Sequence, residues 1–170
     1  DSIETDGTRA TGVRTLNGSM EADYVVLCGG MWTRELGLRC GVSIPLYPVE
    51  HHYVVSEPID GIHEDMPVGR DPDSQIYFRS EAGGVMLGAS HSLSEPWAVG
   101  RIPSDFSYQL LEADWEKFQQ PLEAGRRLIP ALATADFPKF VNGPESFTPD
   151  NNFIMGEAPS LRHLYVAAGF

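Results

Sequence analysis

Two adjacent histidines and a tyrosine are the side chains of this sequence best suited to accept or relay a proton. His51 and His52 lie in one β-prone segment, and Tyr77 lies in another. Neighbouring strand residues point to opposite faces, so one histidine should face the covered side of a sheet and the other solvent or a cleft. Each can be interpreted as a hydrogen-bonded core histidine or as a general base. Without a third ligand they cannot hold one metal ion, so we expect no metal site.

Two further segments could bring the backbone close to a ligand. Gly29 and Gly30 end an apolar run, and they predict either a close approach to a cofactor or a tight turn between a strand and a helix. Thr148, Pro149 and Asp150 lie in a stretch rich in glycine and proline, where Pro-Asp is also an ordinary turn sequence. The sequence contains neither the Gly-x-Gly-x-x-Gly nor the Gly-x-x-x-x-Gly-Lys phosphate-binding pattern.

Composition and charge restrict the partners of the chain. Its 170 residues include 12 Lys and Arg against 24 Asp and Glu, which gives a net charge of −12. Such a balance disfavours binding to nucleic acid and to anionic membrane surfaces. The apolar runs are far shorter than the roughly 20 residues of a membrane-spanning helix. Two cysteines make no disulfide framework, so we expect a reducing compartment: the cytoplasm, or the mitochondrial matrix in a eukaryote.

The pattern of apolar and turn-forming residues predicts two β-hairpins and a buried strand. Residues 10–15 and 20–23 flank an Asn-Gly turn, and residues 74–80 and 85–89 flank Glu-Ala-Gly-Gly. The continuous apolar run of residues 24–28 predicts a central strand covered on both faces.

Helical spacing and the remaining strands complete an α+β pattern. Residues 31–39 predict a short helix that stops at Gly41, and residues 108–129 predict a kinked helix or two helices around Pro121. Further strands are expected at 43–57, 140–141 and 164–168, and loops at 60–69, 95–106 and 142–157. We therefore expect an α+β fold with a mainly antiparallel sheet and helices packed on one side.

Three segments read together resemble a known family. Residues 24–32, 45–55 and 142–150 are similar to the FAD-dependent amine oxidoreductases of the D-amino-acid-oxidase superfamily, in the branch that contains the dimethylglycine and sarcosine dehydrogenases. Four more segments of the family pattern follow in the expected order: 75–79, 84–88, 154–157 and 164–170.

The resemblance implies a division of the chain and a set of missing parts. Residues 1–43 would be the trailing part of an FAD-binding domain, residues 44–141 the substrate-binding sheet with its flanking helices, and residues 142–170 the return toward the FAD domain. The first dinucleotide-binding unit and a C-terminal tetrahydrofolate-binding module would lie outside this excised fragment. We therefore expect FAD in the full-length protein, and we expect the fragment alone to lack FAD and activity.

The resemblance also assigns roles to individual residues. His51 and Tyr77 match active-site residues of the dimethylglycine-oxidising relatives. The positions that match cofactor contacts are Gly29, Gly30, Thr148, Pro149, Asp150, Gly169 and Phe170. The implied substrate is a small N-methyl amino acid, sarcosine or dimethylglycine in class, and the electron acceptor stays open. The alternative is a regulatory, non-catalytic homologue, because the regulatory subunit of pyruvate dehydrogenase phosphatase resembles the same segments.

Overall fold

The computed structural model describes residues 2–90 and 94–170, which form two units. The first unit comprises Asp1–Pro48, Pro96–Phe106 and Glu145–Phe170, and the second comprises Val49–Glu95 and Ser107–Pro144. The α-helices are α1 Thr33–Arg39 and α2 Trp115–Leu128. The strands are β1 Ser2–Thr5, β2 Ala10–Thr15, β3 Gly18–Glu21, β4 Val25–Leu27, β5 Tyr47–Val55, β6 Gly69–Asp71, β7 Ile76–Glu81, β8 Gly84–Ala89, β9 Lys139–Phe147, β10 Ile154–Glu157 and β11 Leu164–Ala168. The predicted boundaries at 43/44 and 141/142 stay a prediction about domains.

The first unit contains two three-stranded sheets. One has the antiparallel order β1-β2-β3, and its β2–β3 turn passes through Asn17 and Gly18 as the first predicted hairpin requires. Gly18 has a φ of 116°, a value that favours glycine. The other sheet has the order β10-β11-β4, in which β11 runs antiparallel to β10 and parallel to β4. Strand β1 was absent from the predicted elements.

Strand β4 corrects one prediction. Val25 and Leu27 are buried in the core of the first unit, whereas Val26 between them is 58% exposed. β4 also lies at the edge of its sheet, with β11 as its only neighbour in the described residues. The predicted central strand with both faces covered is therefore wrong, because the side chains alternate and only one face packs in this unit.

Helix α1 ends where the sequence predicts. The backbone N–H of Gly41 donates to the carbonyl of Leu38 at 3.2 Å, and that of Val42 donates to the carbonyl of Gly37 at 2.9 Å. Gly41 has a φ of 81°, so the end is a Schellman motif that needs a left-handed residue. A 3-10 turn over Gly30–Trp32 precedes α1 and joins it to the glycine pair.

The second unit is built on a five-stranded sheet of order β6-β7-β8-β5-β9. The predicted second hairpin is confirmed as β7 and β8, joined through Ala82 and Gly83, which both have positive φ. Helix α2 packs on one face of the sheet, where Phe118 and Leu122 share a core with Val54 and Leu87. Residues that alternate with this core lie on the other face, which we call the far face.

Helix α2 is shorter than predicted and is a single helix. It begins at Trp115, after Asp114 accepts a hydrogen bond from the backbone N–H of Lys117 at 3.0 Å, and it continues through Pro121 to Leu128. Residues 108–114 are not helical, because Asp114 caps the helix and fixes its start. None of the helices in the described part of the chain is long and apolar enough to cross a membrane.

Strand β9 also corrects the prediction, since it spans Lys139–Phe147 and not residues 140–141 alone. With β10 at Ile154–Glu157, the predicted loop at 142–157 shrinks to residues 148–153. Its glycine and proline residues suggested a loop, but Gly143 and Pro144 are accommodated at an edge of the sheet, where a missing backbone donor is tolerated. Strand β6 begins at Gly69, the last residue of the predicted loop at 60–69, and it was not predicted because three residues are too few to show a period.

Candidate functional site

His51 and Tyr77 form a hydrogen-bonded pair in the second unit. The hydroxyl oxygen of Tyr77 lies 2.9 Å from Nε2 of His51, and the two rings meet edge to face at 88°. His51 is on β5 and Tyr77 is on β7, so β8 lies between the two strands that carry them. Both side chains are partly buried. The sheet thus joins two residues that are 26 positions apart in sequence.

This pair can hold and pass a proton. The histidine tautomer decides which of the two atoms donates, so the hydrogen bond can run in either direction. A neutral imidazole can accept a proton as a general base, and a phenol hydrogen-bonded to it can relay that proton. The geometry therefore places the Tyr77 hydroxyl within hydrogen-bond distance of an imidazole that can accept a proton.

His52 points to the opposite face, as alternation predicts. It is only 3% exposed and packs edge to face against Phe140. Its Nε2 lies 3.4 Å from a carboxylate oxygen of Glu50 but forms no hydrogen bond within the described residues. Burial lowers the pKa of His52, while Glu50 opposes this effect and the Lys117 ammonium adds to it. His52 is therefore a neutral core histidine near neutral pH.

Acidification should destabilise the fold through His52. Its pKa lies below the ordinary value of 6.5, so the unfolded chain takes up this proton at a higher pH than the folded chain does. The free energy of unfolding should therefore fall as the pH drops below about 6.5. We expect the thermal unfolding temperature of His52→Leu to fall less than that of the wild type over this acidic range. His63→Leu, which replaces an exposed histidine, is the control, and equal acid sensitivity in all three proteins would contradict the assignment.

The candidate cofactor residues meet at one edge of a sheet in the first unit. Because β4 and β11 run parallel, with Val166 opposite Leu27, their carboxyl ends lie side by side. Gly29 and Gly30 follow β4, and Gly169 and Phe170 follow β11. Ile154 of β10 pairs with Ala168, so the loop of residues 148–153 enters at the same edge. Ligands of open α/β sheets commonly bind at the carboxyl ends of parallel strands.

Internal hydrogen bonds shape the loop of residues 148–153. The Thr148 hydroxyl lies 2.7 Å from the carbonyl of Asn152 and 3.2 Å from a carboxylate oxygen of Asp150. The backbone N–H of Asn152 donates to Asp150 at 3.1 Å, and this bond is the main cause of the lowered pKa of Asp150. The Asp150 carboxylate is thus used within the turn, as the ordinary turn interpretation requires.

Aromatic and glycine contacts join this loop to the end of β11. The rings of Phe153 and Phe170 stack at 5.3 Å with an angle of 13°. A Cβ added at Gly169 would lie 2.8 Å from Cγ2 of Thr148, and Gly169 has a φ of 75°. Both the space and the backbone conformation therefore require glycine at this position.

The glycine pair after β4 has features that fit a bound cofactor. Gly30 has a φ of 53°, and a Cβ added there would meet no atom within 4 Å, so the backbone borders open space. The hydroxyl of Thr33 is fully buried and lacks a hydrogen-bond partner in the described residues. Thr33 is a candidate that the sequence analysis missed, although its position at the start of α1, three residues after Gly30, is a signal of a ligand-binding turn.

Arg79 takes no part in the candidate site, and the described residues offer no metal site. Arg79 lies on the strand of Tyr77, but its guanidinium pairs with Glu81 at 2.8 Å on the surface, so it does not serve as a free anion-binding group there. Within residues 2–90 and 94–170, no cluster of three or more His, Cys, Asp or Glu side chains could hold a metal ion.

Comparisons with known proteins agree with the resemblance. The family model described as DAO, FAD dependent oxidoreductase, matches residues 1–170. The chain is 43% identical to 4-methylaminobutanoate oxidase (formaldehyde-forming) of Paenarthrobacter nicotinovorans, over 96% of this chain and 20% of that protein. It is 38% identical to mitochondrial sarcosine dehydrogenase of Homo sapiens, over 95% of this chain and 17% of that protein. The chain thus spans about a fifth of the length of these relatives.

The regulatory alternative and the fold also find counterparts. The mitochondrial regulatory subunit of pyruvate dehydrogenase phosphatase from Mus musculus is 38% identical over 95% of this chain and 19% of its own length. The crystal structure of L-proline dehydrogenase from P. horikoshii superposes with a TM-score of 0.76 at 23% identity, covering all of this chain and 43% of that one. At that identity the likeness shows the fold alone, and it confirms the predicted α+β class.

Proposed function

The chain belongs to the DAO family of FAD dependent oxidoreductases, and on this premise we propose that it is the substrate-side segment of an enzyme that oxidatively demethylates a small N-methyl amino acid. The complete enzyme that contains this segment is called the parent protein below. The observation that carries the proposal is the hydrogen bond of 2.9 Å between His51 and Tyr77. The relatives that match most of the chain include enzymes named for sarcosine and for 4-methylaminobutanoate.

The reaction defines what the protein side chains must do. Bound FAD would supply the acceptor for a hydride equivalent from the carbon next to the substrate nitrogen. That transfer requires a neutral amine, because the nitrogen lone pair assists departure of the hydride. An N-methyl amino acid is mostly protonated in neutral water, so a group of the enzyme must take this proton and hold the nitrogen in place.

His51 and Tyr77 can perform this task together. In our proposal Nε2 of His51 and the hydroxyl of Tyr77 share one hydrogen bond, and the substrate ammonium loses its proton to this pair. A phenol linked to an imidazole also fixes the ring orientation, so the basic atom faces one direction. Orientation and proton transfer are therefore the contributions of this segment.

The cofactor side of the proposal rests on the first unit. We propose that Gly29, Gly30, Gly169 and Phe170 border FAD together with the loop of residues 148–153. Support comes from their shared edge at the carboxyl ends of β4 and β11 and from the open space beside Gly30. A tetrahydrofolate-binding module in the parent protein stays a prediction.

Anaerobic mixing of the parent protein with sarcosine or dimethylglycine tests the function. We expect the absorbance of oxidised flavin to disappear and formaldehyde to form after hydrolysis of the oxidised amine. 4-Methylaminobutanoate should be included, because one relative is named for it. Retention of oxidised flavin with every N-methyl amino acid would contradict the proposal and favour the regulatory alternative, which the match to the phosphatase regulatory subunit keeps open.

A further inference from the structure

Gly88 lies between Tyr77 and Tyr53 in the sheet of the second unit. In the register of β7, β8 and β5, Tyr77 is opposite Gly88, and Tyr53 is opposite the same glycine from the other side. Residues directly opposite one another in antiparallel strands point to the same face. All three positions therefore belong to the far face, which also carries His51, two residues before Tyr53 on β5.

The side chain of Tyr77 must cross β8 to reach His51. Neighbouring strands lie about 4.8 Å apart, so β7 and β5 are separated by roughly 10 Å. The phenol ring spans this gap only by lying flat across the middle strand. A Cβ added at Gly88 would overlap Cζ, Cε1 and the hydroxyl oxygen of Tyr77, which places the outer part of the ring directly over the glycine.

The backbone does not explain why this residue is a glycine. Gly88 is not among the described residues with positive φ, so its conformation suits any amino acid. Glycine inside a strand weakens it, unless a neighbouring group uses the vacant space. Here an aromatic ring of the adjacent strand covers the glycine, an arrangement that is known to compensate for the missing side chain.

We propose that Gly88 is a positioning residue for the His51–Tyr77 pair. Its missing side chain lets the ring of Tyr77 lie across β8, and the hydroxyl consequently reaches Nε2 of His51. The consequence for catalysis rests on the function proposed above, whereas the structural claim stands without it. Any side chain at position 88 would lift the ring from the strand and separate the two polar atoms.

The same sheet supplies a matched control. Gly69 of β6 lies opposite Phe78 of β7, and an added Cβ there would overlap Cζ and both Cε atoms of Phe78. Gly69 also lacks a positive φ. Phe78, however, packs with the core on the α2 side and not on the far face. Gly69→Ala therefore introduces a similar clash between a methyl group and an aromatic ring without touching Tyr77.

The kinetic experiment measures anaerobic flavin reduction in the parent protein at saturating N-methyl amine. Gly88→Ala should slow the limiting rate about tenfold, the order expected for one lost hydrogen bond, whereas Gly69→Ala should stay near the wild-type rate. In a Tyr77→Phe background, Gly88→Ala should cause little further loss, because the hydroxyl is already gone. An equal loss in both backgrounds, or a wild-type rate in Gly88→Ala while Tyr77→Phe is slowed, would overturn the proposal.

Two measurements separate this proposal from the proposed function. In a crystal structure of the Gly88→Ala parent protein, the hydroxyl of Tyr77 should lie beyond hydrogen-bond distance of His51, and an intact bond would refute the positioning role. Should Gly88→Ala fold poorly, Gly88→Ala/Tyr77→Ala should recover thermal stability because the clash is removed, and failure to recover would also refute it. If Tyr77→Phe alone reduces flavin at the wild-type rate, the proposed function of the pair is refuted. The crystal structure of Gly88→Ala and the thermal stability of the double variant still decide the positioning role of Gly88.

Discussion

Replacement of His51 by alanine should slow flavin reduction in the parent protein by about 100-fold or more, the usual scale for the loss of a general acid or base. The substitution removes the imidazole nitrogen that lies 2.9 Å from the Tyr77 hydroxyl and leaves that hydroxyl without this partner. His51 is partly buried on the far face and is not part of the core beneath α2, so the fold should tolerate the change. Stopped-flow mixing with saturating N-methyl amine across a pH range measures the chemical step separately from binding and product release.

The control for this experiment is His63→Ala, which removes an exposed histidine outside the strands. It should leave the limiting rate within about twofold of wild type, as expected for a surface substitution. A wild-type rate and pH profile in His51→Ala would instead assign His51 a structural role, the interpretation that residue type alone leaves open.

The second large effect is expected for Tyr77→Phe, which should slow the same step by about 10- to 100-fold, in the range of a hydrogen bond that involves a charged partner. Phenylalanine keeps the ring over Gly88 and removes only the hydroxyl, so packing on the far face stays nearly the same. A loss would therefore report hydrogen bonding and proton transfer. The decrease should appear in the limiting rate and less in the apparent affinity for the amine.

Tyr53→Phe is the matched control, because Tyr53 lies opposite Gly88 on the same face as Tyr77. We expect it to react within about twofold of wild type. If the limiting rate of flavin reduction fell equally in the Tyr53 and Tyr77 variants, hydroxyl groups on this face would act through general polarity. That result would refute a specific role of Tyr77.

Local chemistry explains which parts of the fold the sequence could predict. The turns that pass through Gly18 and Gly83, and the end of α1 at Gly41, each place a glycine at positive φ, a preference read directly from residue type. The opposite orientation of His51 and His52 follows from strand alternation alone. These features need no knowledge of distant contacts.

Other features depend on contacts between distant parts of the chain. The His51–Tyr77 hydrogen bond requires β5 to pair with β8, and nothing in the periodicity of either strand specifies that pairing or its register. The exposure of Val26 likewise depends on what covers β4. The lack of a hydrogen-bond partner for the Thr33 hydroxyl among the described residues appears only once α1 is placed. Resemblance to a family pointed to His51 and Tyr77, but it did not reveal the strand that separates them.

The central claim is that His51 and Tyr77 act on the amine as one hydrogen-bonded unit, and a double-mutant cycle on flavin reduction tests it most directly. Wild type, His51→Ala, Tyr77→Phe and the double variant are compared in the parent protein with one saturating N-methyl amine. If the two groups act together, the double variant should be no more than about twofold slower than His51→Ala alone, since residues of one unit are strongly non-additive. Alternatively, the double variant could be slower than His51→Ala by the full factor by which Tyr77→Phe slows the wild type. Such multiplying losses of rate would show that the two side chains act independently, and they would contradict the account.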